Sequence, residues 1–411
     1  MSSRWLRGTI WTVAILAVLY APFAMTDVWA YGYANAPEFG QKLLSSSVSP
    51  EYVNEARETR VVPYQRSFWP MIVHSVLGGL LMLLGPVQLF SAIKRKRGVH
   101  RTAGVVYALV TLGSMIGAGI YLFRTPTQEV FAGALFQVAL TSILLGTVTA
   151  VTAGIVEIRA GRPQSHQRWM VLSFAFLMTA PLLRLEWGFL PEFYPGLSMA
   201  EINAIGSMTL GGFVAWVGVF VSRGLDPRRK IRGMRGTWVP WFVAVPAVVG
   251  GAVALWSAGD VMLNAGPEFG RLYWAFTVPF LICFAIMAQR WRKAVADERS
   301  WPAEEWAIHL VAMALVPPVA LLYSLPVGAG FALAKPTAIA TGLVVAWGAM
   351  TLAGIAVVAL RLAIAEDADS ASSPVASHAG PVNTSVRSST KHAVTFRSPL
   401  PWQPRPMDDS V

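Results

Sequence analysis

The segment TAIATGLVVAWGAMTLAGIAVVAL (residues 337–360) contains no charged side chain over its 24 residues. A helix that crosses a membrane needs about 20 mainly apolar residues, so this segment is long enough to span one. With its full extent taken as 337–361, it is the last of ten such segments. The other nine are 8–25, 69–91, 103–123, 131–156, 169–189, 201–222, 237–257, 271–290 and 306–325. We therefore predict an all-α protein, a polytopic transmembrane helix bundle of about ten spans.

The composition agrees with this class of protein. Hydrophobic residues make up 55% of the chain and charged residues 13%, whereas a soluble protein carries about 25% charged residues. The single cysteine, Cys283, lies in an apolar segment, which excludes a disulfide framework and a thiolate metal cluster. Motifs of nucleotide-binding loops, zinc proteases or serine hydrolases are absent from suitable positions in the sequence.

The loops alternate in charge along the chain. Basic residues crowd four of them: 92–102, 157–168, 223–236 and 291–305. The loops near 190–200 and 258–270 carry no Lys or Arg. Because cytoplasmic loops carry the excess of Lys and Arg, we predict a multi-pass protein of a bacterial cytoplasmic (inner) membrane with both termini in the cytoplasm. The net charge of +11 then reflects topology, and the expected partner is the lipid bilayer and not nucleic acid.

The span pattern divides the chain into four parts. We expect an N-terminal anchor span with an outer loop, a five-span core, a four-span C-terminal membrane region and a disordered cytoplasmic tail, at 1–68, 69–222, 223–365 and 366–411. The first span is predicted to be an uncleaved anchor. NAPEFG (35–40) and NAGPEFG (264–270) are similar, which leaves open whether the hairpins that contain them are repeats.

Ionisable side chains inside a span are functional candidates, because burying them in lipid is unfavourable. Near the outer end, His74 lies in the second span, and Arg184 lies at a matching depth in the fifth, with Glu186 two residues on. We predict a polar site that the two spans share. In the alternative, His74 hydrogen-bonds to a neighbouring helix, and Arg184 extends towards the membrane surface and pairs with Glu186.

At the cytoplasmic end, His100 and His166 begin the third and fifth spans. Tyr107 follows His100 at +7, on the same helical face, and Gln88 lies near the end of the second span. Together with Arg101, these two are further candidates for a substrate or polar site. Two histidines on separate helices can ligate a haem iron or a metal, or contact a quinone.

The alternative for this end is an interfacial basic cluster. Arg101 and Arg168 each lie one or two residues from a histidine and are expected to be surface anchors. His309, early in the ninth span, is expected to be structural. Pro279 in the eighth span and Pro317-Pro318 in the ninth predict local breaks in those helices.

The stretch from about 70 to 222 resembles a bacterial predicted membrane protein family of unknown function, known as domain of unknown function 2306. The residues that carry the resemblance are His74, Gly85, Pro86, Gln88, His100, Arg101, Gly104, Tyr107, His166, Arg168, Trp169, Met170 and Arg184. The resemblance implies that these residues act as a set, but it supplies no reaction.

Three functions remain open. The first is a redox or cofactor-binding membrane protein, in which His74, His100 and His166 bind haem b, a metal or a quinone. The second is a transporter of a small anionic solute, anchored by Arg184 and gated at the breaks in the eighth and ninth spans. The third is a non-catalytic membrane scaffold or assembly factor. Catalytic residues and metal ligands are not identified by the sequence.

Overall fold

A computed structural model describes residues 3–33, 35–36, 39–47, 50–226 and 228–372, and every regular element in these ranges is helical. The α-helices in them are α1 (Ser3–Thr26), α2 (Phe39–Ser47), α3 (Pro50–Arg66), α4 (Phe68–Leu89), α5 (Ser91–Arg95), α6 (Arg97–Arg124), α7 (Gly133–Arg159), α8 (Pro163–Leu177), α9 (Thr179–Phe193), α10 (Met199–Ala215), α11 (Ser222–Leu225), α12 (Trp241–Asn264), α13 (Pro267–Ala296), α14 (Ser300–Ala314), α15 (Val316–Phe331) and α16 (Lys335–Ser372). Short 3-10 helices cover Asp27–Tyr31 and Thr127–Glu129, and a π-helical segment, Trp216–Val221, joins α10 to α11.

Ten stretches in the described residues are long and apolar enough to cross a membrane. They are Leu6–Tyr31, Phe68–Gln88, Arg97–Arg124, Gly133–Arg159, Pro163–Phe193, Met199–Leu225, Trp241–Asn264, Pro267–Ala296, Ser300–Phe331 and Lys335–Ala365. Each overlaps one predicted segment, which confirms the all-α fold and the number of spans. The location of the two termini stays a prediction.

The fifth and ninth spans are each broken once. The fifth changes from α8 to α9 at Met178, and the ninth from α14 to α15 at Leu315. In both spans a proline lies four residues after the last residue of the first helix: Pro181 follows Leu177, and Pro318 follows Ala314. Because proline has no N–H, it cannot donate the helical hydrogen bond to that residue's carbonyl oxygen. The break in the ninth span was expected and the one in the fifth was not. The predicted break at Pro279 is wrong, because α13 continues through this proline.

The predicted outer loop, residues 26–68, is largely helical. It contains α2 and α3, and α3 packs against α4, α6 and α10. The segment between the first two spans thus brings helical side chains to the end of the bundle. We call this end the α3 end, and the opposite end the α5 end.

The two largest of the five apolar clusters among the described residues form the main cores of the bundle. One joins α1, α4, α6, α7 and α8, and the other joins α12, α13, α15 and the first half of α16. Residues of α10 and α16 belong to both. Gly211 and Gly212 of α10 lie against the fully buried Trp347 of α16, where a side chain at either glycine would collide with the indole. These two helices thus form the centre of the protein.

One compact unit extends from Met1 to Ser370. The predicted tail begins inside α16, which reaches Ser372, so its first residues are helical. The predicted disorder beyond residue 372 lies outside the described residues. The two similar sequences lead to different elements, since α2 begins at Phe39 outside the spans and the spanning α13 begins at Pro267.

Candidate functional site

A cavity of about 180 Å³ lies inside the α3 end of the bundle. Side chains from α1, α3, α4, α6, α7, α8, α9 and α10 line it. His74 and Arg184, which the sequence predicted to share a site, both line this cavity. The polar lining residues are Tyr20, Arg60, Tyr64, His74, Tyr121, Thr179 and Arg184. The structure therefore brings the two predicted residues together, and their role in binding stays a prediction.

Two arginines meet at Trp187 in the cavity wall. The guanidinium carbon of Arg60 lies 5.2 Å from the centroid of the Trp187 ring, and that of Arg184 lies 4.8 Å from it. The indole Nε1 donates a hydrogen bond to Asn203 Oδ1 at 3.2 Å, which fixes the ring against α10. Arg60 also lies 5.0 Å from the centroid of Phe131. Stacking on aromatic faces holds both positive charges at the cavity without neutralising them.

The charge around the arginines is only partly balanced. Asp27 is the acidic residue whose charge acts on both Arg60 and Arg184 in the described part of the chain. Burial lowers the pKa of Arg60, but Tyr64, Tyr31 and Asp27 together raise it above its usual range. Arg60 is 7% exposed and stays a cation. Two guanidinium groups against one carboxylate favour an anionic ligand.

His74 is held by hydrogen bonds to α6. Its Nδ1 lies 3.1 Å from the carbonyl oxygen of Ser114, and Ser114 Oγ donates to the carbonyl oxygen of His74 at 2.9 Å. Because a carbonyl oxygen only accepts, Nδ1 carries the proton in this bond, and Nε2 remains for another partner. His74 therefore makes the interhelical contact expected in the alternative interpretation and also lines the cavity.

Glu186 lies outside the cavity lining, on another face of α9. Thr209 Oγ1 donates to its carboxylate at 2.5 Å, and the side chain packs against Gly206 of α10. Glu186 is 5% exposed. The alternative pairing of Arg184 with Glu186 is therefore not found among the described residues.

His100 and His166 both lie at the α5 end, at the starts of α6 and α8. His166 Nδ1 donates to the carbonyl oxygen of Gly154 at 2.8 Å, which leaves Nε2 for another partner. The charges of His166 and Lys94 act on His100, whose Nδ1 is buried without a hydrogen-bond partner. Gln88 Nε2 is a second buried nitrogen without a partner. Lys94 Nζ donates to Gln167 Oε1 at 2.9 Å, and burial lowers the pKa of Lys94.

The two histidine motifs face each other along α6 and α8. Tyr107, seven residues after His100, is buried, and its hydroxyl lies 3.2 Å from Oγ of Ser173, seven residues after His166. Arg101 is exposed, as expected for an anchor at the membrane surface. Tyr107 thus joins two helices, and its expected role at a ligand site stays a prediction.

Arg168 is a buried residue and not a surface anchor, so that expectation is wrong. It is 2% exposed. Its Nη2 donates to Asp226 at 2.7 Å, and its Nη1 donates to the carboxylate of Glu305, which also accepts from Arg223 Nη1 at 2.8 Å. Burial raises the pKa of Asp226, but Arg228 and Arg168 outweigh this and hold it far below its usual range. The position of an arginine in a loop does not show whether it is a surface anchor or part of a buried ion pair. The carboxylates that pair with Arg168, those of Asp226 and Glu305, lie 58 and 137 positions away in the chain.

Arg60 and the tyrosines of the cavity were not identified from the sequence. Arg60 and Tyr64 lie four residues apart on α3, which places them on one helical face. Had the outer segment been interpreted as helical, this spacing would have indicated them. For metals, no group of three or more His, Cys, Asp or Glu residues suited to an ion occurs in the ranges that the structure describes.

The fold and the polar groups in its interior define an integral membrane protein of the all-helical class, with about ten apolar helices. Residues 71–223 match the family model described as predicted membrane protein (DUF2306), a family of unknown function. The match confirms the resemblance seen in the sequence and covers the cavity lining of α4 to α10. Searches of curated proteins and of solved structures gave no match.

Proposed function

We propose that this protein is a bacterial inner-membrane transporter that binds a small anionic solute in the cavity at the α3 end. The observation that carries the proposal is the pair of guanidinium groups, Arg60 and Arg184, at Trp187 in the cavity. Asp27 is an acidic neighbour whose charge acts on both of them and on Arg57 as well. A bound anion would complete the charge balance of the site, and His74 and the tyrosine hydroxyls would orient it.

Two features support transport over binding alone. The break between α8 and α9 lies at the cavity, because Phe176, Leu177 and Thr179, on either side of Met178, line it. At the break, Thr179 Oγ1 donates to the carbonyl oxygen of Phe176 at 2.6 Å. Broken spans recur at the binding sites of transporters, where local change in the backbone opens one side and closes the other. The second break, between α14 and α15, offers a matching hinge in the C-terminal half.

The test begins with binding to the purified protein in detergent. Chloride, phosphate, acetate, hexanoate and benzoate are titrated by calorimetry, and the tightest binder is then tested for uptake into proteoliposomes. Removing one charged hydrogen-bond donor weakens binding by at least about tenfold. We expect this loss for Arg60→Gln and for Arg184→Gln. Arg66→Gln is the matched control, because Arg66 lies on the same helix and pairs with Glu129 at the surface, 2.7 Å away.

Two results would contradict the proposal. One is the absence of binding by every anion in the panel. The other is a variant with both Arg60→Gln and Arg184→Gln that folds, as judged by gel filtration, and takes up the solute at the wild-type rate. If an anion binds but is not taken up into proteoliposomes, the anion-binding site is supported and the transport function is rejected.

A second candidate, the redox or cofactor-binding function, is favoured by the histidines at the α5 end. His166 donates through Nδ1 to a backbone carbonyl, which is the tautomer that metal-bound histidines adopt. His100 Nδ1, in electrostatic range of His166, has no partner. Absorbance of the protein purified from haem-replete cells tests the haem version. A Soret band that His166→Ala abolishes and Arg101→Gln preserves would support it, and no band would reject it.

A further inference from the structure

The cavity changes from polar to apolar with depth. Arg60 and Tyr64 line the cavity from α3, a helix that lies outside the candidate spans. Deeper in the bundle the lining residues are Met115, Leu140, Ile143, Leu144, Phe176, Leu177 and Leu210. Every member of this deep set is apolar, and the one polar lining residue beside it, Thr179, already uses its hydroxyl in the hydrogen bond to the carbonyl oxygen of Phe176. A compact inorganic ion would leave the deep part of the cavity without a partner.

The apolar part is long enough for a short chain. Phe176 precedes Arg184 by eight positions on the same span, which corresponds to roughly 12 Å along a helix at 1.5 Å per residue. Leu144 lies eleven positions after Gly133, where α7 begins at the α3 end, or about 16 Å into the bundle. The cavity therefore combines a cationic head region near Arg184 with an apolar region that extends inward from it.

The arginines are held so that the head region stays charged. Both stack on Trp187, which is 1% exposed and hydrogen-bonded to α10. Arg184 Nε is buried without a hydrogen-bond partner. A carboxylate accepts two parallel N–H bonds from a guanidinium group, so it would satisfy such a donor.

We propose that the solute is a single-chain carboxylate, with its carboxylate at Arg60 and Arg184 and its apolar tail directed towards Phe176 and Leu144. This inference rests on the proposed anion site and names its substrate class. The volume of about 180 Å³ and the surrounding helices on all sides favour one chain over a two-chain lipid. An anionic phospholipid also presents a negatively charged oxygen head group to the arginines and is therefore a separate arm of the test.

The experiment compares carboxylates of two, six, ten and fourteen carbons, decanol, and nanodiscs with or without phosphatidylglycerol, all on the full-length protein. Each methylene that leaves water strengthens binding by about fourfold. We expect the affinity to rise from acetate to decanoate and to stop rising when the tail exceeds the cavity. Decanol is expected to bind at least about tenfold more weakly than decanoate, because it lacks the charge.

Two leucines on α7 supply a matched pair of variants. Leu144→Trp fills the apolar region and is expected to move the best binder to a shorter chain. Leu145→Trp is the control, since Leu145 is 58% exposed on the outside of the bundle. Should Leu144→Trp fail to fold, Leu144→Ala enlarges the region and is expected to move the best binder to a longer chain.

The outcomes separate this inference from the proposed function. Equal affinity for acetate and decanoate, or the same preferred length in the folded Leu144 and Leu145 variants, overturns the tail site and leaves the anion site intact. If the protein responds to nanodiscs that contain phosphatidylglycerol but binds none of the free carboxylates, the proposal of a single-chain solute is overturned. No binding by any anion overturns both proposals.

Discussion

Arg168 and Glu305 form a buried ion pair although 137 positions separate them in the chain. Arg168 lies in the segment that matches the membrane protein family, and Glu305 lies in α14, beyond that segment. Both are almost fully buried, with 2% and 0% of their surface exposed. Asp226 and Arg223 extend the pair into a network that joins the family segment to the C-terminal spans.

Arg168→Met is expected to destabilise the protein strongly. Removing one partner of a buried ion pair costs about 3–5 kcal/mol, because the other charge stays buried without a partner. The measurement is the thermal midpoint in mild detergent. Arg101→Gln is the control from the related motif, and it should change stability by less than about 0.5 kcal/mol, because Arg101 is exposed. Equal midpoints for the two variants would reject the structural role of the network.

Asp226 should make stability depend on pH in the acid range. Its folded pKa lies far below its usual value, so its contribution is complete above the unfolded pKa of about 4 and is lost as the pH falls below that. Asp226→Asn should lower the thermal midpoint of unfolding at pH 7. It should also make that midpoint fall less between pH 5 and pH 3 than it does in the wild type. Glu129→Gln is the control. It removes the surface ion pair between Arg66 and Glu129, whose side chains are 35–39% exposed, and such pairs contribute about 0–1 kcal/mol. An acid decline unchanged by Asp226→Asn would contradict the assignment.

Gly117→Ala and Gly119→Ala should have opposite effects on stability. A Cβ at Gly117 would collide with the carbonyl oxygen of Pro70 and lie 3.0 Å from the His74 nitrogen, whereas one at Gly119 would lie 3.7 Å from Leu144. Overpacking costs about 1–3 kcal/mol, and Ala in an open helix position gains up to about 1 kcal/mol over Gly. Thermal midpoints check the signs, and anion binding should weaken only in Gly117→Ala, since His74 moves.

The side of the membrane that each end faces can be tested with single cysteines. In a Cys283→Ala background, Gly98→Cys lies at the basic α5 end and Gln128→Cys at the α3 end. Both positions are exposed. An impermeant maleimide should label Gln128→Cys in intact spheroplasts and Gly98→Cys only after lysis, because basic loops stay in the cytoplasm. The reverse pattern would invert the predicted topology.

Part of the candidate site could be predicted from the sequence. His74 and Arg184 were identified because an ionisable group in an apolar run stands out, and their matching depth suggested one site. Arg60 did not stand out, because it lies in a polar segment that resembles a loop. The burial of Arg168 was missed because its partners, Asp226 and Glu305, lie 58 and 137 positions away. The break at Met178 was missed although Pro181 signals it.

The sequence by itself determined the all-helical class, the number of spans and their approximate ends. Lipid offers no hydrogen bonds to the backbone, and a single apolar run of about 20 residues satisfies its own backbone groups as a helix. Only the tertiary structure decided which polar side chains meet. Arg60 and Arg184 both contact Trp187, and Arg168 is buried in an ion pair with Glu305. The packing of distant helices sets these partners, and spacing along the chain does not.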